Sequence, residues 1–127
     1  MRRTLLAASL LAVAVPALAG TPTPRAVVFF ESWSAQLNAP ARKAIQTAAD
    51  WAKQHPSESL TVIGYASTIG SKPANDLLSR LRSQIVSDTL VEDGVPPAQI
   101  RMQAEGATPY VLDPTEARRV EIALGGP

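Results

Sequence analysis

Residues 64–86 read GYASTIGSKPANDLLSRLRSQIV and carry the most informative pattern in the chain. They begin at the end of a β-branched run, residues 60–64, which predicts a buried strand. A loop with Gly70 near its middle follows, and Pro73 opens a helix because proline suits the first helical turn. Gly94 is predicted to end that helix as a C′ glycine. Apolar residues at helical spacing predict its buried stripe: Leu78, Leu81, Ile85 and Leu90.

The rest of the chain continues this alternation of strand and helix. Residues 26–31 are β-branched and aromatic, and Asn38 is predicted to cap a first helix that Pro56 ends. Two further strands are predicted at residues 100–105 and 120–124. The order β-α-β-α-β-β predicts an α+β fold, a two-layer sandwich with both helices on one face of a four-stranded mixed sheet. The apolar face of the first helix is predicted to consist of Ala41, Ala44, Ile45, Ala48 and Ala52.

The first residues carry the pattern of a secretory signal peptide. Two arginines follow the first methionine, an apolar run covers residues 5–15, and small residues end the pattern at 17–19. The run is shorter than the roughly 20 residues of a membrane-spanning helix, so cleavage before Gly20 is predicted. We expect export to the periplasm, with association to the outer membrane through a partner. The predicted division is a signal peptide at 1–19, a linker at 20–25 and one domain at 26–125.

Composition narrows the possible functions. The 127 residues contain no cysteine and one histidine, which excludes disulfides, thiolate chemistry and a multi-histidine metal site. The formal net charge is +1, so no charge excess indicates binding to nucleic acid or to an anionic membrane. The residues around Ser67 do not form a nucleophile elbow, and His55 is predicted to lie at a helix C-terminus. The carboxylates are scattered singly, and the sequence therefore predicts a non-enzymatic protein without cofactor or metal.

One face of the second helix carries residues suited to an anionic ligand. The residues at i, i+3, i+4 and i+7 of this face are Asn75, Leu78, Ser79 and Arg82. The guanidinium of Arg82 matches a carboxylate, and the unpaired N–H groups at the helix start suit one too. Two structural alternatives stay open. In the first, Asn75 only caps the helix. In the second, Arg82 pairs with a carboxylate of a neighbouring element.

The quoted stretch is similar to the hallmark of the OmpA-like domain, which also occurs in MotB and in peptidoglycan-associated lipoproteins. The family pattern is G-[HY]-[TA]-D-x-x-G-[SD]-x-x-x-N-x-x-L-S-x-x-R-A-x-x-V, and residues 64–86 resemble it in order and spacing. Further similarity lies at Gly94-Val95, at residues 105–109, and at 118–122, which read RRVEI. The resemblance covers nearly all of residues 26–124.

The resemblance implies a periplasmic domain that binds peptidoglycan non-covalently through the diaminopimelate of the stem peptide. In the family an aspartate takes the ammonium of diaminopimelate, and an arginine, matched here by Arg82, takes its carboxylate. The expected partner is therefore a peptidoglycan stem peptide, with an envelope protein as a further partner. Carried over by position, the ligand-binding residues are Ser67, Asn75, Leu78, Arg82, Arg118 and Arg119.

The chain departs from the family pattern at two positions of the implied site. Ser67 replaces the aspartate, and Ala117 replaces the asparagine before the arginine pair. A hydroxyl accepts from an ammonium without bringing charge, which is expected to weaken binding by roughly one to two factors of ten. Asp76 is not expected to compensate, since it should pair with Arg80 four residues on. Two functions stay open: weak peptidoglycan binding, and a degenerate envelope protein–protein interaction module with Trp33 as a candidate contact.

Overall fold

The computed structural model describes residues 23–67, 69–107 and 117–125, without the side chains of residues 105–107. The predicted signal peptide lies outside these residues. The elements follow the predicted order, although the first strand begins at Arg25, within the predicted linker. The strands are β1 (Arg25–Phe29), β2 (Leu60–Ala66), β3 (Ile100–Ala107) and β4 (Arg119–Leu124). The helices are α1 (Ala39–Gln54) and α2 (Lys72–Glu92), and a 3₁₀ turn at Pro97–Gln99 precedes β3.

The four strands form one mixed sheet in the order β1-β4-β2-β3. β2 and β3 run parallel and are joined by α2, whereas β4 pairs antiparallel with both β1 and β2. The last strand therefore lies between the first two. Residues of both helices share one apolar core with the sheet, which confirms the predicted two-layer α+β sandwich.

The boundaries of α1 follow from its sequence. Asn38 caps the helix by accepting the N–H of Ala41 on its side-chain oxygen, at 2.9 Å. His55 is the C-terminal cap, as predicted, and its Nδ1 lies 2.8 Å from the carbonyl oxygen of Trp51. The buried residues of the helix are Ala41, Ile45, Ala48, Ala49 and Ala52, which confirms most of the predicted apolar face.

The core lies between the helices and alternate residues of the strands. Side chains at alternating positions of a strand point to opposite faces of the sheet, so the two central strands contribute alternate residues. β2 contributes Leu60 and Val62, and β4 contributes Val120 and Ile122. From α2 the core takes Val86 and Leu90, both fully buried.

The buried face of α2 differs from the predicted stripe. Leu90 is buried as predicted, but Leu81 is 48% exposed. The buried positions are mainly polar or small: Asn75, Ser79, Arg82, Ser83, Val86, Ser87 and Leu90. The reason is the close approach of α2 to Gly64 in β2, since a Cβ there would lie 2.4 Å from the backbone oxygen of Ser79. Only small side chains fit such a contact, so serines occupy it, and Leu77 and Leu81 lie exposed on other sides of the helix.

Candidate functional site

A small pocket of about 50 Å³ lies where the connector after β1, the loop after β2 and the first turns of α2 meet. It contains five of the six predicted ligand residues. They come from separate parts of the chain, and the fold brings them to one cavity. The lining consists of Ser32, Trp33, Ser67, Ile69, Asn75, Leu78, Arg82 and Arg118.

Arg82 is the buried charge of this pocket, with 1% of its surface exposed. Its Nε donates to the backbone oxygen of Ser34 at 2.8 Å, and its Nη2 donates to that of Glu31 at 3.0 Å. Its guanidinium carbon lies 5.1 Å from the ring centroid of Phe30. Burial, and to a smaller extent the charge of Arg118, lower the pKa of Arg82 to about 10. The hydrogen bonds of Arg82 thus go to neutral carbonyl oxygens, and the predicted alternative of an ion pair is not what the structure shows.

The loop between β2 and α2 is held in shape by short-range hydrogen bonds. Asn75 donates through Nδ2 to the backbone oxygens of Ile69, at 2.8 Å, and Ser71, at 3.0 Å. The Oγ of Ser67 accepts the N–H of Ile69 at 2.9 Å. Ser71 caps α2 by accepting the N–H of Ala74. Asn75 is therefore a buried clamp on the loop rather than the helix cap, and it faces the pocket.

The two arginines near the C-terminus lie on different sides of the sheet. Arg118 lines the pocket, and its Nε donates to the backbone oxygen of Phe30 at 3.1 Å. Arg119 begins β4 and lies with its guanidinium carbon 4.0 Å from the ring centroid of Tyr65. Its Nε donates to Glu121 at 2.7 Å. Because neighbouring strand residues face opposite ways, the structure does not bring Arg119 to the pocket with the other five.

Trp33 forms one wall of the pocket mouth, a position that the sequence did not predict. Its backbone has a φ of 54°, which is rare for a residue other than glycine, and its surface is 57% exposed. Gly70 has a φ of 93°, and a Cβ there would lie 3.0 Å from the Trp33 ring. Ser32 and Ile69 also line the pocket without having been predicted. The signal in the sequence was the glycine at position 70, which permits this φ and leaves room for the Trp33 ring.

A larger cavity of about 520 Å³ opens between α2 and β3 and contains none of the predicted ligand residues. Its charged lining residue is Asp88, which accepts from Nε2 of Gln84 at 2.8 Å. Its other walls are mainly apolar, with Val91, Ile100 and Met102 among them. The ionic chemistry that the sequence predicts therefore belongs to the smaller pocket.

Comparison with known proteins shows the family. A model of the OmpA family matches residues 29–121 of the chain. The chain belongs to the OmpA family. The match covers all four strands in part or whole and both helices, and it contains every residue of the pocket.

Individual relatives agree with this OmpA-family assignment. The chain is 29% identical over 105 residues to a peptidoglycan-associated lipoprotein of Agrobacterium fabrum, covering 78% of this chain and 59% of that protein. It is 35% identical over 86 residues to outer membrane porin F of Pseudomonas fluorescens, covering 63% of this chain and 26% of the porin. The chain thus spans about three fifths of the first relative and about a quarter of the second.

Solved structures show the same fold. The OmpA-like domain of FopA1 from Francisella tularensis superposes with a TM-score of 0.73 at 28% identity, covering 81% of this chain and 72% of that one. The peptidoglycan-associated lipoprotein of Burkholderia pseudomallei gives a TM-score of 0.71 at 23% identity, covering 76% and 87%. The second likeness supports the fold alone.

The positions at which this OmpA-family chain departs from the pattern can now be placed. Ser67 lines the pocket, and Ala117 is fully buried. Asp76 forms an ion pair with Lys72, with 2.6 Å between Nζ and Oδ2, so the predicted pair with Arg80 is wrong. Asp76 does not line the pocket and therefore does not replace the carboxylate missing at position 67.

Within the described part of the chain, two further features are absent. No group of three His, Cys, Asp or Glu side chains there is placed to hold a metal ion. Neither of the two long helices has the length and apolar content needed to cross a membrane.

The ion cluster on the open face of the sheet gives a pH-dependent prediction. Burial raises the pKa of Glu121, but the hydrogen bonds and charges of Arg119 and Arg25 outweigh it and hold the pKa below its usual value. Because the folded-state pKa is lowered, Glu121 stabilises the fold above the unfolded pKa near 4.5, and this contribution is lost as the pH falls through the lower folded value. We expect Glu121→Gln to lower the free energy of unfolding by roughly 1 kcal/mol at pH 7. Urea denaturation should show the two free energies of unfolding converging as the pH falls from about 4.5 through the lower folded-state pKa, and a difference that stays constant with pH would contradict this role.

Proposed function

We propose that this chain is an exported OmpA-family domain that binds peptidoglycan non-covalently, with its pocket taking the diaminopimelate of a stem peptide. Residues 1–19 act as the signal peptide in this proposal, and the processed chain works in the periplasm by binding rather than by catalysis. A relative supports the proposal, since the Agrobacterium fabrum protein quoted above is named a peptidoglycan-associated lipoprotein.

The observation that carries the proposal is that the buried charge of Arg82 has no carboxylate partner among the described residues. A buried guanidinium is costly unless it is compensated, and the bonds of Arg82 go only to two neutral backbone oxygens. A ligand carboxylate would supply the missing negative charge through a charge-assisted hydrogen bond. The cavity is about 50 Å³, so only the end of a stem-peptide side chain enters it.

The other pocket residues have distinct roles in this proposal. Arg118 adds a second cation near the carboxylate, and the half-buried side chain of Leu78 packs against the aliphatic part of the ligand. Asn75 keeps the loop in place through its two bonds to backbone oxygens. Ser67 stands where the family aspartate would meet the ammonium, so affinity is expected to fall by roughly one to two factors of ten. Arg119 has no direct ligand contact here, because it lies on the open face of the sheet.

Ile69 offers the cleanest test, because its side chain lines the pocket and is 65% exposed. Ile69→Glu should place a negative charge beside the site of the ligand carboxylate, with little effect on stability. We expect it to weaken co-sedimentation of the processed protein with purified diaminopimelate-type sacculi by about tenfold, or 1.4 kcal/mol.

The matched control is Gln46→Glu, which adds the same charge at an exposed position of α1. It should pellet as the native protein does. Equal loss in both variants would mean that net charge rather than the pocket governs the interaction, and equal pelleting of all three would reject the pocket as the binding site.

A second function is favoured by the surface of α2. Leu77 and Leu81 are one turn apart and are 64% and 48% exposed, so a partner that covered them would bury apolar surface. If the native protein stays in the supernatant with sacculi, the protein–protein interaction module becomes the better proposal.

A further inference from the structure

The polar atoms of the pocket are better matched to an acylated amine than to an ammonium. This point rests on the proposed function, since it concerns which form of the ligand the same pocket takes. Among the eight described residues of the lining, two are arginines and none has a carboxylate. A zwitterionic ligand would therefore bring its ammonium into a cavity where the buried charge among the described residues, Arg82, is also positive.

The hydroxyl of Ser67 has one of its two lone pairs occupied. Its Oγ accepts the N–H of Ile69 at 2.9 Å, and its hydrogen can donate to the ligand. An ammonium has three donors and no acceptor, so it can meet the second lone pair but leaves that hydrogen without an acceptor. A carbonyl oxygen can accept the hydrogen.

Asn75 offers the ligand a hydrogen-bond acceptor. Its Nδ2 donates to Ile69 and Ser71, and neither bond uses the amide oxygen Oδ1. With the side chain in the pocket lining, Oδ1 can accept one N–H. Arg82 can therefore bind an anion, Ser67 can donate one hydrogen bond to the ligand, and Asn75 can accept one from it.

The apolar rim fits the same ligand. Trp33 and Ile69 are both more than half exposed at the pocket mouth, where a group attached to the ligand nitrogen would emerge. An acyl chain there would bury apolar surface against the indole ring, whereas a bare ammonium would lose hydration without gaining a contact.

We infer that the pocket selects an N-acylated amino acid carboxylate over the corresponding zwitterion. In peptidoglycan this is the form of diaminopimelate whose side-chain amine is acylated in a peptide cross-link. The carboxylate goes to Arg82, the amide oxygen to the hydroxyl of Ser67, and the amide N–H to Asn75. The domain then favours cross-linked over uncross-linked stem peptides.

The test compares two ligands that differ at one nitrogen. The tripeptide L-Ala-γ-D-Glu-meso-diaminopimelate is titrated into the processed protein by calorimetry, with the side-chain amine either free or acetylated. We expect the native protein to bind the acetylated form about tenfold more tightly, a difference of 1.4 kcal/mol. Ser67→Asp should reverse the order, because a carboxylate pairs with the ammonium and repels a second acceptor.

Ser67→Asn is the matched control, since it has the shape of aspartate without the charge. It should keep the native preference, and thermal unfolding of all three proteins shows whether they are folded. If the native protein binds the free amine as tightly as the acetylated form or more tightly, the inference is wrong while the proposed function stands. If it binds neither tripeptide, the proposed function itself is wrong, whatever Ser67→Asp does.

Discussion

Replacing Arg82 by alanine should lower the free energy of unfolding by about 4 kcal/mol, which is a large part of the stability of a small domain. The side chain is fully buried, packs on the ring of Phe30 and ties the connector after β1 to α2 through the oxygens of Glu31 and Ser34. Removing it leaves a cavity and two carbonyl oxygens without their donors. Urea denaturation followed by circular dichroism would measure the loss.

Arg80→Ala is the matched control for that experiment. Arg80 is exposed on the same helix, two residues away, and its removal should change stability by no more than about 0.5 kcal/mol. A loss below about 1 kcal/mol in Arg82→Ala would contradict the structural role, since it would mean that neither the cavity nor the lost bonds matter.

Arg82 both stabilises the fold and lines the pocket, so a loss of binding in an Arg82 variant has two possible causes. From the sequence alone, Arg82→Ala would be expected to abolish binding in a domain that stays folded. The structure shows that the same substitution also releases the connector that carries Ser32 and Trp33, two residues of the pocket. Loss of binding in this variant therefore does not distinguish a lost ligand contact from a lost fold, which is why Ile69 and Ser67 are the better positions to vary.

Gly64→Ala is expected to destabilise the domain by about 3 kcal/mol. The added Cβ would lie 2.4 Å from the backbone oxygen of Ser79 and 2.1 Å from the Oγ of Ser83. The side chain of Ser83 can rotate away, but the backbone of α2 cannot move without shifting the whole helix. Thermal and urea unfolding would both report the change.

A double variant separates the two clashes. Ser83→Ala removes the hydroxyl and its bond to the backbone oxygen of Ser79, so alone it should cost about 1 kcal/mol. Combined with Gly64→Ala it should restore only part of the lost stability, because the contact with the backbone of α2 remains. Native stability in Gly64→Ala would show that α2 tolerates displacement, and the pocket at its start would then be adjustable rather than rigid.

The candidate site was predictable where it lies within one local segment. Ser67, Asn75, Leu78 and Arg82 follow each other at spacings that a loop and a helix convert directly into one surface, and they do line one pocket. Ser32 and Trp33 come from a connector more than thirty residues earlier. No periodicity relates them to α2, so local pattern analysis could not place them there.

The separation of Arg118 from Arg119 shows the same limit at shorter range. Strand alternation predicts that the two side chains point in opposite directions. Which of them faces the pocket depends on the register of β4 between β1 and β2, and this register is set by pairing with strands more than fifty residues earlier in the chain.

Element order, helix caps and the alternation of core residues follow from local sequence, because capping, turn and periodicity preferences act over a few residues. The partners of Arg82 and the outward-facing Leu77 and Leu81 of α2 have another origin, because they depend on how the elements pack. The two oxygens that Arg82 bonds belong to Glu31 and Ser34, in the connector after β1, which only the folded chain brings beside α2. Where α2 approaches β2, the missing side chain of Gly64 leaves room for Ser79 and Ser83. Hydrophobic periodicity could not reveal the burial of Arg82 or of these serines, because burial is a property of the packed layers rather than of the helix alone.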